Sequence, residues 1–439
     1  MHIRVILVIA GAACAAFGQT RHIPQTVLTN ALALGTFNVR DYGAKGDGRT
    51  DDQRAIMAAE AAAVAHRGGV VYFPSGKYLH SGILDFGSGV VVAGADQSSI
   101  VMGTNNTNAA LRFLGASACG VFNITVASDA TLRQLNYESA DIYLDDATGC
   151  MISGVSIDGS ASAGIVIHDS TNVVAANNQV RNTMADGIHT VGGSQNVVVT
   201  GNQAWNTGDD SFSVVAYASE PQTANVTVAN NVSIRSRARG LSCIGAANCT
   251  LQGNQIYSPA AHGIAVAYES SWNTLAPSAA TVSGNLIVGA AQPGFMSLIV
   301  EGASGVDIGA NDIYDSMPVY IHSSQKVTLD GLRVHHATNI GILGRDCNAL
   351  ALRNVEIDSA EQSGIVLERV TGAEISKATL DNVQTTGDPI RGAIDAWLCS
   401  GLSGSGNVVQ HGRNWQGRSY GPVRTPECPA AALNVASQF

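Results

Sequence analysis

The chain has 439 residues, of which 45% are hydrophobic, 13% charged and 5% aromatic, and its formal net charge is −10. This composition excludes an intrinsically disordered chain, which would be rich in charge, and a coiled coil, which would be rich in Ala, Glu, Lys, Leu and Arg. The acidic balance disfavours nucleic-acid binding, which depends on a basic surface.

The first element in chain order is an apolar run at the N-terminus. The sequence MHIRVILVIAGAACAAFGQT places His2 and Arg4 before apolar residues from Val5 to about Phe17, and small residues follow. The run is too short to span a bilayer, so it predicts a cleaved signal peptide over residues 1–20. No second apolar stretch has transmembrane length, and we expect a secreted or periplasmic protein without membrane association after cleavage.

The next segment, residues 21–85, is predicted to cap the fold. It contains an Ala-rich amphipathic helix after Thr50, Asp51 and Asp52, whose side chains can accept hydrogen bonds from free N–H groups at the helix start. A metal loop that uses Asp47, Asp51 and Asp52 is the weaker alternative. Because the end of a solenoid must be covered, we expect this helix to cover it.

From about residue 109 the chain repeats a unit of two β-rich runs joined by an Asn-containing turn, within a segment, residues 86–410, that we assign to one repetitive domain. A period in the low twenties with short Val/Ile runs is typical of one coil of a parallel β-solenoid. The sequence therefore predicts an all-β fold, a right-handed parallel β-helix of about ten coils, followed by a C-terminal tail over residues 411–439. The turn asparagines, which could hydrogen-bond along the axis, are Asn178, Asn202, Asn231, Asn254 and Asn285, with Asn311 and Asn354 continuing the series less regularly.

Seven cysteines follow the predicted signal peptide. An exported protein meets an oxidising compartment, and we expect the disulfides Cys243–Cys249 and Cys399–Cys428. An odd number of cysteines leaves at least one free thiol. No Cys-x-x-Cys pair or His/Cys cluster indicates zinc.

One row of the predicted coils carries ionisable side chains. Two neighbouring carboxylates disfavour double ionisation, so the pKa of one should rise, and a protonated acid beside an ionised base is what glycoside hydrolysis needs. The alternative is a solvated polar face of Asp–Arg pairs. Alignment of the coils on a small residue gives the row Ala163, Asp186, Asp210, Arg239 and His262, with Asp209 beside Asp210.

Further basic residues flank this row. Arg235, Arg237 and Arg239 alternate, so an extended segment would place them on one face as a cationic subsite for uronate or sulfate. The equal alternative is that they pair with nearby carboxylates. His189 could assist the row or be a packed structural histidine.

Aromatic residues are scarce, and several fall in two coils that are longer than the rest. Tyr268 and Trp272 lie in such an excursion, and Tyr217 lies in the other. Loops of this kind often form the wall of a cleft. Aromatic faces there could stack on sugar rings or pack the loop against the solenoid. Glu269 and Glu301 are further candidate carboxylates.

The segments DYGAKGDGRTDD and GGVVYFPSGKYL resemble the N-terminal signature of the pectate-lyase-like right-handed β-helix superfamily. Rhamnogalacturonases, polygalacturonases, related lyases, epimerases and phage tailspikes share that signature. With the coils, the resemblance covers most of the mature chain. It implies the fold and does not specify the reaction.

Around the ionisable row the sequence partly resembles the polygalacturonase family of glycoside hydrolases. MADGIH matches that family's NTDG-type segment at Asp186, and GDDSFS matches its paired aspartates at Asp209 and Asp210. The resemblance implies Asp209 as general acid, with Asp186 and Asp210 activating the water that inverts the anomeric carbon. Met184 stands where the family has its first Asn, and Arg239 stands where it has the histidine of its GHG segment.

Three functions are weighed on this basis. The first is an inverting glycoside hydrolase on a polysaccharide or oligosaccharide, including an acidic one, without a cofactor or metal. Arg239, His262, His189, Arg237, Tyr268 and Trp272 would bind its substrate. The second is a uronan lyase or C5-epimerase, which could use calcium bound by the aspartates. The third is a glycan-binding adhesin without catalysis.

Overall fold

The computed structural model describes residues 23–104, 110–383, 392–411, 423–429 and 431–438. The predicted signal peptide lies outside the described residues. Within those ranges, none of the helices combines the length and the apolar character that a membrane crossing requires.

The described residues form two α-helices, three short 3₁₀ helices (Val39–Tyr42, Tyr137–Ser139 and Ser270–Trp272) and a long series of strands. In chain order the helices and strands are α1 (Ile23–Leu34), β1 (Thr36–Asn38), β2 (Asp47–Asp51), α2 (Gln53–Ala65), β3 (Gly69–Phe73), β4 (Gly76–His80), β5 (Leu84–Asp85), β6 (Val90–Gly94), β7 (Ser99–Gly103), β8 (Leu111–Leu114), β9 (Gly120–Phe122), β10 (Thr125–Ser128), β11 (Ile142–Asp145), β12 (Met151–Ser153), β13 (Ser156–Ser160), β14 (Ile165–His168), β15 (Val174–Ala176), β16 (Gln179–Thr183), β17 (Ile188–Val191), β18 (Gln195–Thr200), β19 (Gln203–Trp205), β20 (Phe212–Val215), β21 (Ala224–Ala229), β22 (Val232–Ile234), β23 (Leu241–Ile244), β24 (Ala247–Gln252), β25 (Gln255–Tyr257), β26 (Ile264–Ala267), β27 (Ser278–Ser283), β28 (Leu286–Val288), β29 (Leu298–Glu301), β30 (Ser304–Ile308), β31 (Asp312–Tyr314), β32 (Val319–His322), β33 (Gln325–Asp330), β34 (Arg333–Ala337), β35 (Ile342–Arg345), β36 (Asn348–Arg353), β37 (Glu356–Ala360), β38 (Ile365–Glu368), β39 (Glu374–Ser376), β40 (Thr379–Val383), β41 (Ile394–Trp397), β42 (Ser403–Gln410), β43 (Val423–Arg424) and β44 (Ala432–Gln438).

The strands stack in parallel along one axis, which confirms the predicted β-helix. Among the described residues, every third strand from β5 to β41, followed by β43, forms one sheet of 14 strands. The remaining strands form two further stacks that join at β42 into a 30-stranded sheet. The coils outnumber the expected ten or so, because coils near both ends lack the asparagine that marks the repeat.

The core is a column of aliphatic side chains stacked from coil to coil. In the 14-stranded sheet, Ile142, Ile165, Ile188, Phe212 and Leu241 are consecutive partners, and all are buried. Successive strands lie about 4.8 Å apart, so identical positions contact each other along the axis. The Val and Ile runs therefore form strands whose inward residues fill a narrow interior.

A ladder of buried asparagines runs beside this core. The Nδ2 group of Asn178 donates to Oδ1 of Asn202, and the same bond repeats through Asn231, Asn254, Asn285 and Asn311 at 2.8–3.0 Å. Each Oδ1 also accepts the backbone N–H of the preceding asparagine. The ladder satisfies polar groups that a purely aliphatic turn would leave buried without partners.

Asn354 does not belong to the ladder. It is exposed, adopts a φ of +49° and bonds to Asp330 outside the core. The buried position in its coil is Val355, and Leu332 occupies the buried position one coil earlier. The ladder therefore stops after Asn311, and aliphatic residues replace it.

Helix α2 covers the N-terminal end of the core, where Ile56, Ala59 and Ala63 are fully buried. Asp51 accepts the N–H of Gln53 at the helix start, as expected. Asp52 instead turns back and accepts the N–H groups of residues 45 and 46, so it fixes the preceding loop rather than the helix.

One of the two predicted disulfides is confirmed and the other is wrong. Cys243 is bonded to Cys249, and a second bond joins Cys119 to Cys150, 31 residues apart in sequence. Cys399 and Cys428 are neighbouring free thiols, and the N–H of Cys399 donates to Sγ of Cys428. Sγ of Cys399 also donates to the carbonyl of Trp397, and Sγ of Cys428 donates to the carbonyl of Ala396. Cys347 is also free and is buried.

Candidate functional site

The ionisable row predicted from the sequence lies on consecutive coils. The backbone N–H of Gly187 donates to the carbonyl of Asp210, that of Ser211 to Arg239, and that of Gly240 to His262. These bonds link neighbouring coils next to strands β17, β20, β23 and β26 of the 14-stranded sheet. The alignment on a small residue therefore has the correct register.

The side chains of the row also hold the coils together. Oδ1 of Asp186 accepts the N–H of Asp210 at 3.0 Å, and Oδ1 of Asp210 accepts the N–H of Arg239 at 2.8 Å. His262 accepts the N–H of Met296 through Nδ1 in the same way, at 2.9 Å. One atom of each side chain is thus occupied by the scaffold, and each aspartate keeps its second oxygen for other partners.

Asp186 is held in its ionised form. Its Oδ2 lies 2.6 Å from Nδ1 of His189 and accepts a hydrogen bond from the Ser213 hydroxyl at 2.7 Å. Burial by itself would raise the pKa of this carboxyl. The hydrogen bond and charge of His189, with the Ser213 and Asp210 donors, outweigh burial and keep the pKa below its ordinary value.

Asp210 is held nearer to its protonated form. Burial, followed by the negative charges of Asp186 and Asp209, raises its pKa to about 7, against the opposing effects of Arg239 and Ser242. Its Oδ2 accepts the Ser242 hydroxyl at 2.6 Å, and the nearest guanidinium nitrogen of Arg239 is 3.6 Å away. The carboxyl groups of Asp186 and Asp210 therefore differ in their tendency to bind a proton, as expected from the ionisable row in the sequence.

Asp209 is the most accessible of the three aspartates. Its side chain is 34% exposed, compared with 15% for Asp186 and 7% for Asp210. Its Oδ2 lies 2.7 Å from Nη2 of Arg133, which is 76 residues earlier in the chain. Sequence reasoning missed Arg133, because it lies outside the repeat that aligns the other residues.

Arg239 bridges two carboxylates and is largely enclosed. Its Nη2 lies 2.8 Å from Oε1 of Glu269, and its Nη1 lies near Asp210. Glu269, a secondary candidate in the sequence, is thereby placed at the centre of the site. It enters from the long excursion that follows strand β26.

These groups line one groove with a volume of about 330 Å³. Its walls include Tyr137, Tyr217, Leu135 and Trp272, and the last two are strongly exposed at 86% and 66%. The two long excursions support each other, because Tyr217 and Thr274 form an antiparallel bridge. The excursions therefore form one wall of a cleft above the aspartates.

Several predicted residues lie elsewhere. His262 belongs to the row but packs edge-on against Phe295, and burial together with the charge of Arg239 lowers its pKa to about 4. Among the described residues that line the groove, neither His262 nor Tyr268 nor Arg237 is present. Tyr268 packs outside the groove against Gly302.

The three alternating arginines do not form a shared face. The segment after strand β22 turns instead of extending, with a φ of +53° at Arg235. Arg235 and Arg237 are exposed, and of the three only Arg239 lines the groove. Glu301 is also outside it and pairs with His322 at 3.1 Å.

A larger cavity of about 960 Å³ lies over strands β7, β10, β13 and β16. Its lining is mainly amides, hydroxyls and small residues, with a single Asp158–Arg181 pair at 2.7 Å. It lacks neighbouring carboxylates with opposed protonation. The smaller groove, where the titratable groups converge, is therefore the candidate site.

The described part of the chain gathers no group of three or more His, Cys, Asp or Glu side chains arranged to hold a metal ion. Around Asp186 and Asp210 the oxygen atoms face N–H and O–H donors, which point hydrogens at the carboxylates.

Two family models match the sequence. One, described as rhamnogalacturonase A/epimerase, pectate lyase-like, covers residues 36–276, which is more than half of the chain. The other, a right-handed β-helix region, covers residues 239–401. The first includes every residue of the groove.

Individual proteins of known structure or function are also similar to this chain. The catalytic unit of a thermostable GH87 alpha-1,3-glucanase from Streptomyces thermodiastaticus is 25% identical with a TM-score of 0.66, over 76% of this chain and 65% of that chain. PfbA, a surface adhesin of Streptococcus pneumoniae, has a TM-score of 0.62 at 16% identity, over 75% of this chain and 91% of its own, which shows a shared fold alone. Alginate lyase 7 of Azotobacter vinelandii is 61% identical over 46 residues, which span 10% of this chain and 5% of that protein.

Proposed function

Because the chain belongs to the rhamnogalacturonase A/epimerase, pectate lyase-like family, we propose that it is a carbohydrate-active enzyme, an inverting glycoside hydrolase that cleaves a polysaccharide. The observation that carries the proposal is the convergence of Asp186, Asp209 and Asp210 in one groove, with the two buried carboxylates shifted in opposite directions. The likeness to a GH87 glucanase supports it. The predicted signal peptide agrees with action outside the cytoplasm.

The exposure of the three carboxylates supports distinct roles. Asp186 and Asp210 lie deepest and hold the attacking water, and the pKa of Asp210 near 7 suits a general base at neutral pH. Asp209, the most accessible, protonates the glycosidic oxygen. As the water oxygen bonds to the anomeric carbon, the glycosidic bond breaks and Asp210 takes the water proton.

The Arg133–Asp209 pair sets a condition on this mechanism. Nη2 of Arg133 lies 2.7 Å from Oδ2 of Asp209, so in this proposal Oδ1 is the oxygen that faces the glycosidic oxygen.

The lyase or epimerase alternative makes a different demand on the groove. Removal of the C5 proton of a uronate needs a cation that neutralises the sugar carboxylate. Both arginines of the groove already pair with protein carboxylates. The match to an alginate lyase is confined to 46 residues and does not outweigh this arrangement.

Product analysis tests the proposal. Polysaccharides treated with the protein should yield fragments heavier by one water, with an inverted anomeric configuration at first release by NMR. Asp209→Asn should lower kcat by about 10²–10⁴, the usual contribution of a general acid. Asp307→Asn, at an exposed carboxylate outside the groove, is the matched control.

Other products would contradict hydrolysis. Unsaturated fragments would assign a lyase, and an unchanged mass with altered C5 stereochemistry would assign an epimerase. Full activity in Asp209→Asn would remove that residue from the role of acid.

A further inference from the structure

We propose that the groove selects a neutral polysaccharide and rejects chains of uronic acids or sulfated sugars. This inference rests on the proposed function, because it names the substrate class of the same site. It departs from an acidic substrate, which the alternating arginines suggested. The argument comes from the partners of each charged group in the groove.

Every cationic side chain that lines the groove is already bound to a carboxylate of the groove. Arg133 pairs with Asp209 at 2.7 Å, and Arg239 pairs with Glu269 at 2.8 Å. The third basic group, His189, lies 2.6 Å from the carboxylate of Asp186. Among the described lining residues, no arginine, lysine or histidine is left to receive a carboxylate or sulfate of a substrate.

The lining holds more carboxyl groups than guanidinium groups. Four carboxylates face the groove, from Asp186, Asp209, Asp210 and Glu269, against two guanidinium groups. His189 adds a third basic group, so the acidic groups of the lining still outnumber the basic ones.

Tyr217 and His262 add no positive charge to the groove near neutral pH. Burial raises the pKa of the Tyr217 hydroxyl, and the charges of Asp186, Glu220 and Glu269 raise it further. His262 contributes no positive charge near neutral pH, because its pKa is about 4. Arg237, the remaining candidate cation, is exposed outside the lining.

The same lining is suited to a sugar without charge. Ionised carboxylates only accept hydrogen bonds, and sugar hydroxyls are donors. Trp272 and Leu135 are highly exposed at the edge of the groove, and Tyr217 lies in its wall. Aromatic and aliphatic surfaces of this kind pack against the apolar C–H faces of pyranose rings.

Two effects would oppose the binding of an acidic sugar in the groove. Its carboxylate would lie among like charges, which opposes binding strongly when the groups are desolvated. To gain a cation it would have to displace Asp209 from Arg133 or Glu269 from Arg239. Glu269 is therefore a specificity residue that keeps Arg239 from a substrate anion.

The experiment compares substrates and binding on the intact chain. The neutral polymers are α-1,3-glucan, β-1,3-glucan and galactan, and the uronans are polygalacturonate and alginate. We expect the best neutral polymer to have a kcat/KM and an affinity at least about tenfold higher than those of either uronan. A uronan that is cleaved or bound as well as the best neutral polymer would overturn the inference and leave hydrolysis intact.

A charge-removing variant provides a second test. Glu269→Gln frees Arg239, and trigalacturonate should then bind at least about fivefold more tightly by calorimetry than to the unchanged protein. Glu374→Gln, which removes a surface carboxylate paired with Arg353 outside the groove, is the matched control and should bind as the unchanged protein does. Equal binding of trigalacturonate by Glu269→Gln and the control would count against the role of Glu269.

The two proposals fail in different ways. Tight binding of neutral oligosaccharides without any water-added product would overturn the hydrolase and leave the charge-based selectivity standing. Water-added products from a uronan in preference to every neutral polymer would do the reverse.

Discussion

Asp186 and Asp210 each divide two oxygens between two tasks. One oxygen accepts the backbone N–H of the next coil, and the other faces a hydroxyl group and a basic side chain. Both interpretations of the row, structural and catalytic, therefore describe the same side chains. A carboxylate fixed in this way loses little additional freedom when it positions a water molecule.

The pH dependence of activity should report on Asp210. If Asp210 is the base, kcat/KM rises as pH increases through about 7, because the base must lose its proton. The Ser242 hydroxyl stabilises the ionised carboxylate, so Ser242→Ala should move this limb to higher pH. A limb that falls through pH 7 instead would make Asp210 the acid and would contradict our assignment.

Among single residues, the sequence predicts those that recur with the spacing of the coils. Asp186, Asp209, Asp210 and Arg239 are found because coil spacing aligns them with a small residue. Coil spacing does not identify Arg133, since this residue reaches the groove from outside the repeat. The predicted arginine face failed because alternation implies one face only in an extended segment, and this segment turns.

The coil is the repeating element, and its turns are as ordered as its strands. Asn202 accepts two hydrogen bonds from Asn178 and donates to the carbonyl of Ala175 and to Asn231. Gln203, the next residue, is exposed. Two adjacent polar residues thus have opposite environments, because the turn directs Asn202 into the core and Gln203 outward at the start of β19.

Asn202→Ala should destabilise the protein strongly. The change leaves several buried polar groups without partners, each worth about 1–3 kcal/mol, so we expect a loss of about 3 kcal/mol or more. Gln203→Ala is the matched control and should change stability by less than about 0.5 kcal/mol. Thermal and denaturant midpoints measure both, and equal shifts would contradict a buried ladder.

Sequence reasoning succeeds for elements that repeat and fails where the repeat changes. The ladder is predicted through Asn311, but Asn354 is assigned to it wrongly because an exposed left-handed position also favours asparagine. Likewise, Cys119 and Cys150 are bonded across coils that the repeat does not mark. Longer excursions are visible as irregular spacing, although their mutual bridge is not.

The whole molecule is close to one-dimensional, because each coil contacts mainly its two neighbours. The ladder coils from Asn178 to Asn311 have partners on both sides and additional axial bonds. In the described chain, β44 pairs only with β42 and has no strand beyond it. The fold class follows from composition and period, whereas stability along the axis depends on these local contacts.

Hydrogen exchange should therefore vary along the axis. We expect the amides of β24, in the middle of the ladder, to exchange far more slowly than those of β44, because end units of a solenoid open without unfolding the rest. Mass spectrometry of exchanged peptides measures the difference. Equal protection of β24 and β44 would show one cooperative unit instead of a graded stack.

The one-coil spacing of the ionisable row also bears on how such a protein evolves. Duplication or loss of a whole coil outside the span from Arg133 to Thr274 moves no member of the site relative to another. A coil inserted between Asp186 and Asp210 would separate them by a full step and abolish their interaction. Lineages can therefore lengthen or shorten the molecule freely at either side of the groove, while the number of coils inside it stays constant.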